Sequence, residues 1–171
     1  SSADVPSIQL VTGPMSTGRH RGERLGACTD CRHFWSRYRA GEIDKDEIDR
    51  VEVRLASTAG TCAVMGTAST MAIIAEVLGM SLPGTAAIPA VAAERLVVAE
   101  ESGKAAVSML SNPIKPSEII TEKSVENALR VLMGVSGSTN AVLHLAAVAG
   151  LRGIRISDSR LNDISEETPV L

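Results

Sequence analysis

The sequence is nearly free of aromatic side chains, which make up 2% of its 171 residues. Phe34, Trp35 and Tyr38 are the whole set, and they lie in one cluster. The core must therefore be aliphatic, built from Ala, Val, Leu, Ile and Met. Binding of nucleic acid through stacked bases needs several rings, so a nucleic-acid partner is not expected.

The chain also lacks an excess of positive charge, with 17 Lys and Arg against 20 Asp and Glu. The formal net charge is -3 and the pI is about 5.6, so the chain has no basic field to attract a nucleic-acid backbone or an anionic membrane. No apolar run reaches the roughly 20 residues of a membrane span. The first residues lack the pattern of a secretory signal, and three cysteines, an odd number, do not suggest a secreted disulfide scaffold. We expect a cytoplasmic protein with no membrane partner.

The remaining composition is that of a folded domain. Hydrophobic residues are 44% and charged residues 22% of the chain, close to the globular average. A length of 171 residues fits one ordinary domain.

The pattern along the chain predicts a helix-rich α/β domain with a few-stranded sheet flanked by helices. Short β-branched runs predict strands at residues 7–12 and 153–157, near each end. A polar surface loop is expected at 15–26, and a loop or the start of a short helix at 158–171. Asp44 with Glu47, and Thr121, are helix-capping signals. Helices are predicted at about residues 30–40, 44–55, 69–78, 90–110 (with a kink or break at Gly103), 116–120, 121–133 and 138–149.

Cys62 lies among small residues that let the backbone approach a bulky group, with a helix expected a few residues later. The amino end of a helix favours a thiolate, which suits a sulfur that ligates a metal or a cluster. A buried cysteine acting as a small apolar side chain is the alternative.

Cys28 and Cys31 form a CxxC pair. Such a pair binds zinc, acts as a redox couple or has only a structural role. His33 is too close to Cys31 for the usual zinc-finger spacing, and no second CxxC exists. All three interpretations of the pair stay open.

Residues 134–140 (GVSGSTN) combine a glycine turn with hydroxyls at a helix amino end. This arrangement suits a phosphate or a substrate carboxylate, with plain capping by Ser138 as the alternative. His144, one turn further, is expected to be a core or interface histidine. A small basic patch is formed by Arg19, His20, Arg21 and Arg24. We expect it either to contact an acidic substrate or partner, or to be a solvated loop.

Three segments together resemble the dihydroxy-acid and phosphogluconate dehydratase family. They are residues 6–13 (PSIQLVTG, followed by Met15 and a GRHRG run), 59–83 (AGTCAVMGTASTMAIIAEVLGMSLP) and 137–145 (GSTNAVLHL). The resemblance runs from about Pro6 to Leu171. The sequence around Cys62 is more similar to that of the sugar-acid branch than to that of the branched-chain amino-acid branch.

The resemblance implies a hydro-lyase that converts a 2,3-dihydroxy acid or sugar acid to a 2-keto acid. An iron–sulfur cluster, of the 2Fe–2S or 4Fe–4S type, acts as the Lewis acid, and Mg²⁺ anchors the substrate. Members are about three times this length, so residues 1–171 are expected to be the central part of the amino-terminal domain, without the carboxy-terminal domain.

Residue by residue, the resemblance makes Cys62 a cluster ligand. We also expect Ser138 and Thr139 to bind substrate. The serine that acts as base, the other cluster cysteines and further magnesium ligands are expected outside this chain. Because a cluster needs about four protein ligands, we expect the 171-residue chain alone to be inactive.

A small metal-binding or redox module built on Cys28 and Cys31 is the alternative from a different class, and a dehydratase of branched-chain amino-acid biosynthesis is the alternative within the family. A scaffold or dimerisation domain without chemistry of its own is a third option. Surfaces that would contact missing parts are expected to be apolar, so we expect a homo-oligomer.

Overall fold

A computed structural model of the chain describes residues 3–171, and it is predominantly helical with one small sheet. The helix-rich α/β class is thus confirmed. The elements, in chain order, are β1 (Arg19–His20), β2 (Glu23–Arg24), α1 (Ala27–Arg39), α2 (Lys45–Leu55), α3 (Thr67–Val77), α4 (Glu94–Ser108), α5 (Pro116–Ile119), α6 (Glu122–Gly134), α7 (Thr139–Gly150) and α8 (Asp158–Glu167).

The helices begin where side-chain caps are available. Asp44 accepts a hydrogen bond from the backbone N–H of Glu47 at the start of α2, and Thr121 accepts one from Ser124 at the start of α6. Ser138 caps α7 in the same way. These caps satisfy N–H groups that have no partner within their own helix. The predicted positions of α2, α6 and α7 are confirmed.

The main core lies where α3, α6, α7 and α8 pack together. Helix α6 contributes one apolar stripe with the spacing of a helix face, as its sequence predicts: Val125, Ala128, Leu129 and Leu132 are all buried. Ala141, Leu145 and Ala149 of α7 face it with no exposed surface. Small residues on α7 allow the helices to approach closely, so this aliphatic core needs no aromatic side chain.

Neither of the two predicted strands forms, so both predictions are wrong. Residues 7–12 join no sheet, and within residues 3–171 their one hydrogen bond to another main-chain group runs from the N–H of Gln9 to the carbonyl of Met80. Ile154 and Ile156, in the other segment, pack on the helical core. A strand needs a neighbouring strand to satisfy its backbone groups, and residues 3–171 offer none to either segment.

Other boundaries also differ from the predictions. Helix α4 begins at Glu94 because the residues before it form turns, and Ala90 donates its N–H to the carbonyl of Pro14 (2.8 Å). Gly103 does not interrupt α4. Helix α1 begins at Ala27, three residues early, and the segment from Asp158 forms the full helix α8, capped by Ser157. No helix in the described range is both long and apolar enough to cross a membrane.

The sheet is an unpredicted hairpin in the expected surface loop. Its two turn residues, Arg21 (φ 50°) and Gly22 (φ 89°), both have positive φ, the condition of a tight hairpin turn that matches strand twist. The hairpin packs on α1 and α2, with His20 only 5% exposed and its ring against the edge of Phe34.

Glu47 of α2 holds the hairpin through charge. Its carboxylate lies 2.8 Å from His20 Nε2 and 2.8 Å from Arg21 Nη2. Arg54 donates to the other ring nitrogen of His20, at 2.9 Å, which fits an imidazole that carries its proton on Nε2. The hydrogen bond from His20, followed by that from Arg21, holds the pKa of Glu47 below its ordinary value.

We predict that this ion pair makes the stability of the chain pH-dependent below neutrality. A carboxyl whose pKa is lowered by folding stabilises the native state above its unfolded pKa, about 4.3 for glutamate, and loses that contribution as the pH falls towards the folded value. Thermal unfolding followed by circular dichroism from pH 7 to 3 should show a falling midpoint below about pH 5.

Glu47→Gln should lower the unfolding midpoint at pH 7 and flatten this part of the pH profile. Glu52→Gln, on the exposed part of the same helix, is the matched control and should leave both unchanged. Equal pH profiles for wild type and Glu47→Gln would contradict the assignment.

Candidate functional site

The segment that carries Cys62 joins α2 to α3 and is fixed by its backbone. Thr61 donates its N–H to the carbonyl of Gly13 (2.9 Å) and accepts from the N–H of Met15 (2.8 Å). Pro14 and Thr61 form an isolated parallel bridge. The extended segment before β1 therefore runs directly beside the residue preceding Cys62.

Two glycines make this approach possible. A Cβ on Gly60 would lie 2.4 Å from the backbone nitrogen of Met15, and Gly60 has a φ of 134° that side-chain-bearing residues rarely adopt. A Cβ on Gly13 would lie 2.1 Å from the carbonyl oxygen of Ile88. No larger residue fits at either position without displacing backbone.

Arg95 joins the segment around Gly13 to a third segment, residues 85–88. Its side chain is only 8% exposed, and it donates to the carbonyls of Val11 (3.0 Å), Thr85 (3.0 Å) and Ile88. Its Nε is buried without a hydrogen-bond partner in the described chain. A buried cation is costly unless it is well bonded, so we assign Arg95 to holding residues 11–13 against residues 85–88.

A second anchor of this region is Glu76 on α3. Its carboxylate accepts hydrogen bonds from the backbone N–H groups of Gly84 (2.7 Å), Thr85 (2.9 Å) and Ala86 (2.7 Å). The loop after α3 is thereby folded back onto α3. Sequence reasoning missed both Glu76 and Arg95, because their partners are backbone groups that leave no side-chain pattern.

Cys62 is half-buried and carries a free thiol. Its carbonyl accepts from the hydroxyl of Ser69 (3.3 Å) on the first turn of α3. A small, largely apolar cleft of about 100 Å³ adjoins this segment; its lining includes Pro14, Ala63 and Ser69 but not Cys62. Cys62 itself is partly exposed, so it is not sealed within the core.

The amino ends of α3 and α7 lie side by side next to this segment. Thr67 Oγ1 and Ser138 Oγ are 2.8 Å apart, and the N–H of Ser138 donates to Thr70 Oγ1 (3.0 Å). A Cβ on Gly137 would lie 2.7 Å from Thr70 Cγ2, so the turn before α7 packs directly on α3. Two helix amino ends in one place concentrate backbone N–H donors and positive potential.

The predicted substrate residues fall at this convergence. Ser138 is half-buried and caps α7 by accepting from the N–H of Asn140 (3.3 Å). Thr139, the first residue of α7, is exposed. Ser138 thus caps α7, and substrate binding by Ser138 and Thr139 stays a prediction.

Other candidates lie elsewhere. His144 is exposed on α7, so its placement in a core is wrong. In the basic patch, His20 is buried, which corrects the interpretation of a solvated loop for this residue. Arg21 pairs with Glu47, but its side chain stays 74% exposed. Cys28 and Cys31 lie on the first turns of α1 without a disulfide.

No group of three or more His, Cys, Asp or Glu side chains within residues 3–171 is placed to hold a metal ion. A metal or cluster at Cys62 would therefore need ligands beyond this set. The half-buried thiol and the glycine-lined backbone beside it fit one corner of such a site.

The chain matches over residues 1–171 the family described as dihydroxy-acid/6-phosphogluconate dehydratase, N-terminal. It is 44% identical over its whole length to an L-arabinonate dehydratase of Rhizobium leguminosarum bv. trifolii. It is also 39% identical over 98% of its length to a dihydroxy-acid dehydratase of Clostridium botulinum, and 38% identical over 99% to a 6-deoxy-6-sulfo-D-gluconate dehydratase of Pseudomonas putida.

The chain spans 30%, 30% and 29% of the lengths of these three relatives, respectively. The expected resemblance is thus confirmed, including the extent of the match. The chain belongs to the dihydroxy-acid/6-phosphogluconate dehydratase family and corresponds to its N-terminal region.

Proposed function

We propose that this chain is part of a dehydratase that converts a sugar acid to a 2-keto acid, and that Cys62 supplies one thiolate ligand to its iron–sulfur cluster. The observation that carries the proposal is the half-buried, free thiol of Cys62, held by backbone contacts beside the amino ends of α3 and α7. Residues 1–171 would form the central part of the amino-terminal domain.

The reaction removes a proton from the carbon next to the carboxylate and hydroxide from the neighbouring carbon, and the resulting enol becomes the 2-keto acid. Hydroxide is a poor leaving group at neutral pH. When bound, an iron site with an open position supplies Lewis-acid chemistry that lowers the cost of its departure. The base, a serine, and the Mg²⁺ ligands would come from the rest of the protein.

The residues of this chain would bind and orient the substrate. Backbone N–H groups at the start of α7 suit the negative charge of a carboxylate, and the exposed hydroxyl of Thr139 is available as a donor. We therefore assign Ser138 and Thr139 to the substrate end of the site. Hydroxyls are concentrated here, with Thr61 3.4 Å from Ser69 and Thr67 2.8 Å from Ser138.

Hydroxyl groups at these helix ends would favour a polyhydroxylated substrate over one with a branched aliphatic chain. The relative at 44% identity, named L-arabinonate dehydratase, supports the same choice. The second candidate is a dihydroxy-acid dehydratase of branched-chain amino-acid biosynthesis, which is favoured by the 39% identity to an enzyme of that name.

The first prediction concerns Cys62 and uses the full-length protein, purified without oxygen. Cys62→Ala should abolish the visible absorption of the cluster and lower bound iron and sulfide to below about a tenth, because a cluster needs about four protein ligands. Dehydratase activity should fall at least about 100-fold, since the Lewis acid contributes several kcal/mol to the rate.

The double variant Cys28→Ala/Cys31→Ala is the matched control and should retain the cluster. Circular dichroism should show the same helical content for all three proteins. A Cys62→Ala protein that keeps its cluster would remove the basis of the proposal, and a cluster lost only in the double variant would favour a CxxC metal module.

Substrate class is tested by the rate of 2-keto acid formation in the full-length holoenzyme. We expect kcat/KM for a five- or six-carbon sugar acid such as L-arabinonate to exceed that for a branched 2,3-dihydroxy acid by at least about 100-fold, because hydrogen-bonding groups left unpaired by the wrong substrate cost several kcal/mol. The reverse order would establish the second candidate.

Arg95→Lys tests whether the buried guanidinium positions the Cys62 segment. Lysine cannot reproduce the planar donor arrangement that reaches three carbonyls. In the full-length enzyme we expect a loss of about tenfold in kcat/KM, equivalent to about 1.4 kcal/mol, with less iron retained per chain. Arg39→Lys, at an exposed position on α1, should change neither quantity, and an Arg95→Lys enzyme with wild-type iron content and rate would refute the positioning role.

A further inference from the structure

Two cysteines at the start of α1 have no part in the proposed reaction. Cys28 is the second residue of the helix and Cys31 the fifth, and both are free thiols. Cys28 is exposed, whereas Cys31 is half-buried. A disulfide reagent in solution therefore has access to Cys28, while Cys31 is more protected.

Their spacing places the two thiols on one face of the helix. Residues three apart in a helix have Cβ atoms about 5–6 Å apart, and a disulfide needs about 3.5–4.5 Å. The required closure is about 1–2 Å. The first turn of a helix is suited to such an adjustment, because its N–H groups have no partners within the helix.

The local contacts show what restrains this turn. Asp30, between the two cysteines, accepts a hydrogen bond from the N–H of Gly26 and donates its own N–H to the Gly26 carbonyl (3.0 Å). Among the described residues, no side chain of another element is hydrogen-bonded to this turn. A metal role for the pair is disfavoured, because no third ligand joins the two thiols within the described residues.

We propose that Cys28 and Cys31 form a reversible intramolecular disulfide and that the pair is a site of oxidation by small disulfides such as oxidised glutathione. The Cys28 thiolate attacks one sulfur of the reagent and releases one thiol. The Cys31 thiolate then attacks the Cys28 sulfur of the mixed disulfide and releases the second thiol. Two electrons pass from the protein dithiol to the reagent, which leaves as two thiols.

The position of the pair gives this oxidation a route to the proposed active site. A Cβ added to Gly26 would lie 3.6 Å from Cγ1 of Val64, so the residue before α1 is near the segment that carries Cys62. A disulfide that tightens the first turn of α1 would act on this neighbouring backbone.

The test uses the full-length protein, reduced, freed of reductant and treated with oxidised glutathione under anaerobic conditions. After free thiols are alkylated, trypsin should release residues 25–32 (LGACTDCR), which hold both cysteines in one peptide, while Cys62 falls in another. We expect more than half of this peptide to carry no alkyl group and to be two hydrogens lighter than the unalkylated dithiol peptide, and dithiothreitol added before alkylation to reverse the change.

Single variants separate the two steps. Cys31→Ser should stop at a glutathione adduct on Cys28, and Cys28→Ser should leave Cys31 largely unmodified. A wild-type protein that stops at the Cys28 adduct, forms a Cys28–Cys62 link or does not react would overturn the proposal. A Cys28–Cys62 link requires a Cys62 thiol that is not bound to a cluster, whereas the other two outcomes do not depend on whether Cys62 binds one.

Discussion

The architecture around Cys62 depends on one constraint, the close contact of three backbone segments that are distant in sequence. Residues 11–15, 60–61 and 85–90 approach so closely that glycine is required at positions 13 and 60. Hydrogen bonds between main-chain groups join the segments, and the buried guanidinium of Arg95 links the first to the third. The position of the thiol is thus set by main-chain geometry, which is more rigid than side-chain packing.

This constraint explains why the structure can accept a buried cation. Arg95 donates to the carbonyls of Val11, Thr85 and Ile88, which helps to satisfy backbone acceptors that lie away from regular secondary structure. Hydrogen bonds that involve a charged group are stronger than neutral ones. The guanidinium therefore offsets part of its own desolvation by satisfying the backbone of two segments at once, at the position where the Cys62 loop needs a fixed neighbour.

The sequence predicts the helices well because their signals are local. The caps at Asp44, Thr121 and Ser138 lie within a few residues of the N–H groups they satisfy, and the apolar stripe of α6 is visible within two turns. The strands fail for the opposite reason. An extended apolar run indicates that a segment is buried. Whether it forms a strand depends on a partner strand, which can lie anywhere in the chain. Here Ile154 and Ile156 pack on helices instead.

The same distinction applies to the site. Cys62 and the segment at residues 137–140 are recognisable one at a time, but their proximity is not, since 71 positions separate Thr67 from Ser138. Arg95 and His20 are harder still, because a charged or polar residue is expected at the surface. Each is buried by partners on other elements, and no local pattern marks either of them.

The positions of the reactive side chains are consistent with a chain that supplies one ligand, Cys62, to a larger site. Cys62 offers one thiol beside the amino ends of α3 and α7. Within the described residues, no group of three or more His, Cys, Asp or Glu side chains is placed to share a metal. Leu96 and Val107 of helix α4, and Leu110 just after the helix, are 76%, 67% and 84% exposed. Apolar surface of this extent is normally covered in an assembled protein, and the relatives are about three times as long as this chain. We infer that the helical core and the close backbone contacts at Gly13 and Gly60 have a shared role. They hold the Cys62 segment in one conformation, and the remaining ligands come from outside this chain.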